Sequence, residues 1–181
     1  IALSIAVSAG AGVLISGHIG RGEREDALNV FNTTVRFVLV LGLLVAVLGN
    51  LFIHPLAEML GATPQIHTEA VRYMRYIVSL SPFLIFSFLL SGLARNDGQP
   101  DLAMAALVLG SISNIVLDYV FMYPLNMGVS GAALATALGP IFSVLILFPH
   151  FILKKGTLFF AKIPVYPSII QRVCTLGLQS F

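Results

Sequence analysis

Apolar residues fill positions 1–16, 33–53, 76–94, 102–123 and 128–153 of the chain, and polar residues gather in the short runs between them. A helix that crosses the hydrocarbon core of a bilayer takes about 20 residues. The last four runs therefore each predict a membrane span, and 1–16 predicts the tail of another. GHIGRGEREDALN (17–29) predicts a polar loop with an amphipathic continuation. HPLAEMLGATPQIH (54–67) predicts a connection broken by Pro55, Gly61 and Pro64. Its Thr63-Pro64 pair predicts the start of the next helix, because threonine caps free N–H groups and proline loses nothing at the first helical position. ARNDGQPD (94–101) and PLNMG (124–128) predict tight turns, and KKGTLFFAKIPVYP (154–167) leads to a segment from Ser168 that opens a further helix. Short connections make consecutive helices antiparallel neighbours. The fold class expected is all-α, a polytopic transmembrane helix bundle.

Composition narrows the class. The chain is 57% hydrophobic and 10% charged, against roughly a quarter charged in soluble domains, and its mean hydropathy is +0.95. An integral membrane protein follows, with the lipid bilayer as its first partner. The net charge of +2 is too small and scattered for a nucleic-acid surface. The single cysteine, Cys174, allows neither an internal disulfide nor a cysteine metal site,. The chain begins at Ile1 inside an apolar run and stops at Phe181 as another apolar-rich segment starts. It is expected to be an internal piece of a larger membrane protein, and 1–16 a truncated span rather than a secretory signal, since no basic region precedes it.

Charge placement sets the orientation. Alternate connections put Arg21, Arg24, Arg95, Lys154, Lys155 and Lys162 on one side, with Arg36 and Arg172 near its helix ends, against Arg72 and Arg75 on the other. By the positive-inside rule, loops 17–29, 94–101 and 154–167 are expected in the cytoplasm, and the turn 124–128 outside.

Asp118 is the one charge in the span 102–123. A carboxylate within a span is costly to insert and points to a functional site facing protein or a water-filled cavity. Asn114 lies four residues earlier and so one turn away on the same face, which Ser111 roughly shares. The following span opens GVSGAALATALGP (128–140), where Gly131, Ala132, Ala133 and Ala135 let two backbones approach and Thr136 is the polar exception,. At 1.5 Å rise per residue, Asp118 sits roughly 8 Å and Thr136 roughly 12 Å from the outer ends of their helices. The two are therefore candidates for neighbours. Asp118, Asn114 and Thr136 would offer oxygen ligands for a small cation such as Na⁺, or hydrogen-bond partners for a carboxylate that exchanges a proton. The alternative roles are interfacial snorkelling for Asp118 and helix packing for Asn114 and Thr136. An intramembrane serine hydrolase built on GVSG (128–131) is excluded by distance, because His150 lies about 30 Å along the same helix from Ser130. An aspartyl protease would need a second membrane carboxylate. No enzyme is expected.

The run YIVSLSPFLIFSFLLSGLARNDGQPDLAMAALVLGSISNIVLDYVFMYPLNMGVSGAALAT (76–136) closely resembles the MATE (multidrug and toxic compound extrusion) transporters, in particular their prokaryotic DinF/MepA-like branch. Pro82-Phe83, the Arg95 to Pro100 turn, Asn114 with Leu117-Asp118, and Gly128 through Thr136 carry the likeness, and GHIGRGEREDAL (17–28) is similar to the loop after that family's second helix. The resemblance implies a twelve-helix transporter of two six-helix lobes, of which 1–167 covers the N-terminal lobe from the end of the second helix through the sixth and the loop beyond. Residues 168–181 would begin the seventh helix, in the second lobe. It further implies export of drugs or toxic organic compounds, often cationic, from a prokaryotic cytoplasm, in exchange for Na⁺ or H⁺ and with no other cofactor. Asn114, Asp118 and Thr136 match three members of the family's cation site; the fourth, a carboxylate of the first helix, belongs to chain outside this sequence, as does the second lobe. Pro82 and Pro140, inside spans, are the expected helix bends for alternating access. Related lipid-linked oligosaccharide flippases share the layout but tend to carry cationic cavities, and these spans hold no central Arg or Lys. A non-transporting membrane scaffold is the structural alternative.

Overall fold

The computed structural model describes residues 2–161 and 163–179. Among them run seven helices and no strand: α1 Ala2–Gly20, α2 Arg24–Leu51, α3 Ile53–Met59, α4 His67–Asn96, α5 Pro100–Met122, α6 Val129–Ile152 and α7 Pro167–Gln179. The four long helices α2, α4, α5 and α6 are each long and apolar enough to cross a membrane, and α1 adds a shorter apolar helix. Each of these helices contains one of the runs read from the sequence, to within a few residues at most ends, but α2 and α4 each begin nine residues before their apolar runs at 33 and 76.

Three local expectations are corrected. The 54–67 connection contains α3, which begins at Ile53 after the one non-helical residue Phe52. Pro55 is tolerated there because it sits in the first turn, where no helical N–H bond is due. Thr63-Pro64 opens a turn rather than a helix: Ile66 N donates to the Thr63 carbonyl at 3.0 Å, and α4 starts at His67 without a side-chain cap. The polar loop 17–29 also shrinks to residues 21–23. There Glu23 accepts from Arg21 Nε at 2.9 Å and lies 2.7 Å from His18 Nδ1. These contacts, His18 first, hold the Glu23 carboxyl below its ordinary value. A lowered folded value means the contribution to the turn is present above the ordinary carboxylate range and lost as pH falls through the folded value.

Helix α4 is the axis of the bundle. It packs against α1, α2, α5 and α6, while α1 pairs with α2 and α5 with α6. Leu89, Leu90 and Leu93 on α4 are wholly buried. Among the described residues the backbones of α1 and α5, and of α2 and α6, do not come close, so a gap opens on each of two sides of α4, bridged between α2 and α6 by the Phe31–Phe151 ring stack at 5.2 Å. In a membrane the apolar phase gives helices little reason to associate, so close approach at small residues and hydrogen bonds does the work. A methyl group on Gly92 would meet Ser8 Oγ at 2.0 Å, and one on Gly42 would stand 3.0 Å from the Pro82 Cα.

Where α1 crosses α7 the backbones themselves touch. A Cβ on Gly10 would lie 2.1 Å from the Val173 carbonyl oxygen, and one on Gly177 would lie 2.2 Å from that of Ala6. Backbone cannot move aside as a side chain can. Gly10→Ala is expected to destabilise the crossing by about 1–3 kcal/mol, the range for overpacking, read as an earlier thermal transition of the full-length protein in detergent. An unchanged transition would mean that α1 and α7 are not held at this distance.

The three loops assigned to the basic side gather at one end of the bundle, joined by buried polar contacts. Asp97, in the α4–α5 turn, has a fully buried side chain; its Oδ2 lies 2.8 Å from His150 Nε2 on α6. Its Oδ1 accepts from the backbone N–H of Thr157 at 2.8 Å and of Leu158 at 3.1 Å. The extended stretch after α6 then crosses α2. Asn32 Nδ2 donates to the Phe159 carbonyl at 3.1 Å while its Oδ1 accepts from Ala161 N at 2.8 Å, as a neighbouring strand would. Arg36 donates to the carbonyls of Ala161 and Ile163.

Candidate functional site

The α5–α6 pair forms a close seam. Ser143 Oγ donates to the Ala106 carbonyl across it at 2.9 Å, Gly110 and Gly139 face each other, and a Cβ on Gly131 would stand 2.9 Å from the Phe121 Cβ. A side chain projecting from α5 into this seam is therefore sealed by α6 backbone. Asn114 is one: its Cβ lies 3.3 Å from where a Cβ on Gly139 would be.

Four buried side-chain polar atoms lack a hydrogen-bond partner among the described residues, and two are Asn114 Nδ2 and Asp118 Oδ1. An unpartnered buried polar atom costs about 1–3 kcal/mol. Two such atoms one turn apart on one helix face form a polar spot with unused hydrogen-bonding and ligating capacity. Rotation of the Asn114 amide would exchange its nitrogen for its oxygen there. The same face continues along α5 to Ser111 and Leu107. Leu107 lines a cavity of about 540 Å³ in the α1–α5 gap, together with Ser8, Gly12, Ser16, Ser91 and Asn96. The carboxylate thus lies on a stripe that leads into a partly polar gap between helices.

Thr136 lies on α6 and is exposed. Its hydroxyl makes no hydrogen bond with the described residues, so Asn114 and Asp118 hold the buried unpartnered atoms on one face of α5 while Thr136 occupies an exposed position of α6. Pro140 adds something the residue type alone did not signal. It has no N–H for the carbonyl four residues back, which is that of Thr136. Thr136 therefore carries two oxygens without a regular helical donor. Pro82 has the same effect on the Val78 carbonyl, and there the Ser81 hydroxyl donates in place of the missing amide at 2.8 Å. Both α4 and α6 remain helical through these prolines.

The remaining candidates resolve as structural. His150 belongs to Asp97, well away from the buried Ser130. Arg72 pairs with Glu69 at 3.1 Å. Tyr119 and Tyr123 lean on each other at 5.4 Å and are exposed, as residues of an interfacial belt are,. Sequence reasoning missed the long-range contacts of Asp97, Asn32 and Arg36, whose partners lie 53 or more residues away.

Against known proteins, residues 1–120 match the model of the MatE family. The multidrug export protein MepA of Staphylococcus haemolyticus is 29% identical over 174 residues, covering 95% of this chain and 38% of its own length. A multidrug resistance MATE family transporter of the MOP superfamily, solved in an inward-facing conformation, superimposes with a TM-score of 0.92 at 29% identity, over 99% of this chain and 41% of that one. The outward-facing conformation of such a transporter gives 0.90 at 30% identity, over the same shares. The chain spans about two fifths of the length of the relatives it matches.

Proposed function

This chain belongs to the MatE family, and from that premise we propose that its parent protein is a Na⁺- or H⁺-coupled antiporter that exports drugs or other toxic organic compounds across the cytoplasmic membrane by alternating access. The residues described here form most of one lobe, and Asp118, Asn114 and Thr136 serve as its cation site. The observation that carries this reading is the Asp118 carboxylate within a span, its buried Oδ1 unpartnered among the described residues one turn from the equally unpartnered Asn114 Nδ2. A bound Na⁺ would be ligated by these oxygens and those of Thr136, and a proton would sit on Asp118 itself. Neither ion is a resident cofactor, since each is carried and released.

Coupling requires that the ion favour one arrangement of the bundle, because a ligand shifts an equilibrium only by its differential affinity for the two states. The α5–α6 seam, held by glycines and the Ser143 bond, leaves little room to deform; the open α1–α5 side is where an ion-dependent shift would be felt. Similar TM-scores against inward- and outward-facing relatives support a lobe that moves largely as a body.

The test is transport by the full-length parent reconstituted in liposomes. A fluorescent organic cation is followed while a Na⁺ gradient and a pH gradient are imposed separately. Export under one gradient and not the other identifies the coupling ion; no export under either, with correctly inserted protein, overturns the proposal.

A further inference from the structure

The second gap around α4, between α2 and α6, holds a groove of about 750 Å³ whose walls are almost entirely apolar, with Leu39, Leu43, Phe83, Leu145 and Phe148 among them. Those five residues are exposed although they belong to helices long enough to span a membrane. At one end the groove is bounded by Arg36, Asn32 and Ala161.

Depth fixes what lies at that end. The sequence of α2 mixes polar and apolar residues up to Asn32-Thr33-Thr34, and after Arg36 it is apolar from Phe37 to Gly49. Arg36 therefore stands at the edge of the hydrocarbon, on the side that carries the basic loops. Its guanidinium has five donors, of which bonds to the Ala161 and Ile163 carbonyls satisfy two. Among the described residues it has no acidic partner: the ion pairs present involve Glu23, Glu58, Glu69 and Asp97, none of them with Arg36. A half-buried cation without a counter-charge thus faces an open apolar groove that runs from headgroup level toward the middle of the membrane.

We propose that this groove binds an anionic phospholipid of the inner leaflet, its phosphate on Arg36 and an acyl chain laid along Leu39, Leu43, Phe83 and Leu145. The apolar walls suit a lipid tail, and the uncompensated guanidinium selects a net negative headgroup over a zwitterionic one. A neutral tail alone would leave the charge of Arg36 unmet. The groove shares no lining residue with Asn114, Asp118 or Thr136, so the site stands whether or not Asp118 couples transport.

Native mass spectrometry of the full-length parent, purified with defined phosphatidylglycerol and phosphatidylethanolamine, tests it. Wild type is expected to retain phosphatidylglycerol preferentially. Arg36→Gln should bind it about five-fold more weakly, the factor one basic side chain contributes near an anionic headgroup, with phosphatidylethanolamine retention unchanged. Arg36→Lys, which keeps the charge, should preserve the preference. Leu43→Trp fills the groove without touching the guanidinium and should also displace phosphatidylglycerol. Equal retention of the two lipids by wild type, or wild-type retention in both Arg36→Gln and Leu43→Trp, overturns the proposal; the latter is also the result expected if the rest of the parent chain covers the groove. Should Arg36→Gln fail to fold, the wild-type preference and Leu43→Trp still decide.

Discussion

Asp118→Asn in the full-length protein will reduce gradient-driven export to the leak of protein-free liposomes while leaving insertion and folding intact. The substitution keeps shape and removes charge. Neither a Na⁺ nor an exchangeable proton can then be held at this position, so the ion no longer distinguishes the two arrangements and the gradient has nothing to act on. Stability should be equal or higher, because the variant no longer carries a membrane carboxylate with an unpartnered buried oxygen,. Those opposite signs, lost coupling with retained or raised thermal stability, separate a coupling residue from a packing one. Normal export by the variant under the wild-type gradient would make Asp118 a packing or interfacial residue instead.

The second large effect is on stability. Asp97→Ala removes the partner of His150 and the acceptor for two backbone N–H groups at once, all at a side chain with no solvent exposure. Breaking a buried pair from one side costs about 3–5 kcal/mol, enough to threaten the fold of a marginally stable protein. Asp97→Asn should cost much less, since its amide oxygen can still accept from Thr157 and Leu158 and its NH₂ stays within reach of the His150 ring. Thermal melting of the two variants in detergent checks the order, and equal effects would show that the charge, not the hydrogen bonds, matters at this turn. Gly156 is held to glycine here by space, a Cβ falling 1.8 Å from Asp97 Oδ2.

What the sequence disclosed and what it did not divide by range. The spans were legible because hydropathy over twenty residues is a local property that lipid enforces. Asn114 and Asp118 on one face followed from helical spacing alone. The three basic loops, placed together by charge counting, do meet at one end of the bundle. The Asp97–His150 pair joins residues 53 apart, and Asn32 reaches a carbonyl 127 residues away. Nothing in either neighbourhood distinguishes such a side chain from an ordinary turn or helix-end residue. Thr63-Pro64 misled for a different reason: the same pair that caps a helix also opens a turn. At Thr136 the residue type was read but its backbone was not, since the effect of Pro140 on that carbonyl depends on the proline four positions on.

The stretch from Thr157 to Ile163, fixed by Asp97, Asn32 and Arg36, decides where this polypeptide can be divided. The exposed lysines at 154 and 155 make that loop the obvious place to break the gene for co-expression of two pieces. A break there would leave the second piece beginning with an extended segment whose Thr157, Leu158 and Ala161 amides are satisfied by side chains of the first. With a break between Tyr166 and Pro167 the extended segment stays with its partners, and the proline is already the first residue of α7. Complementation by pieces split at 166/167 should therefore succeed where a split at 154/155 fails.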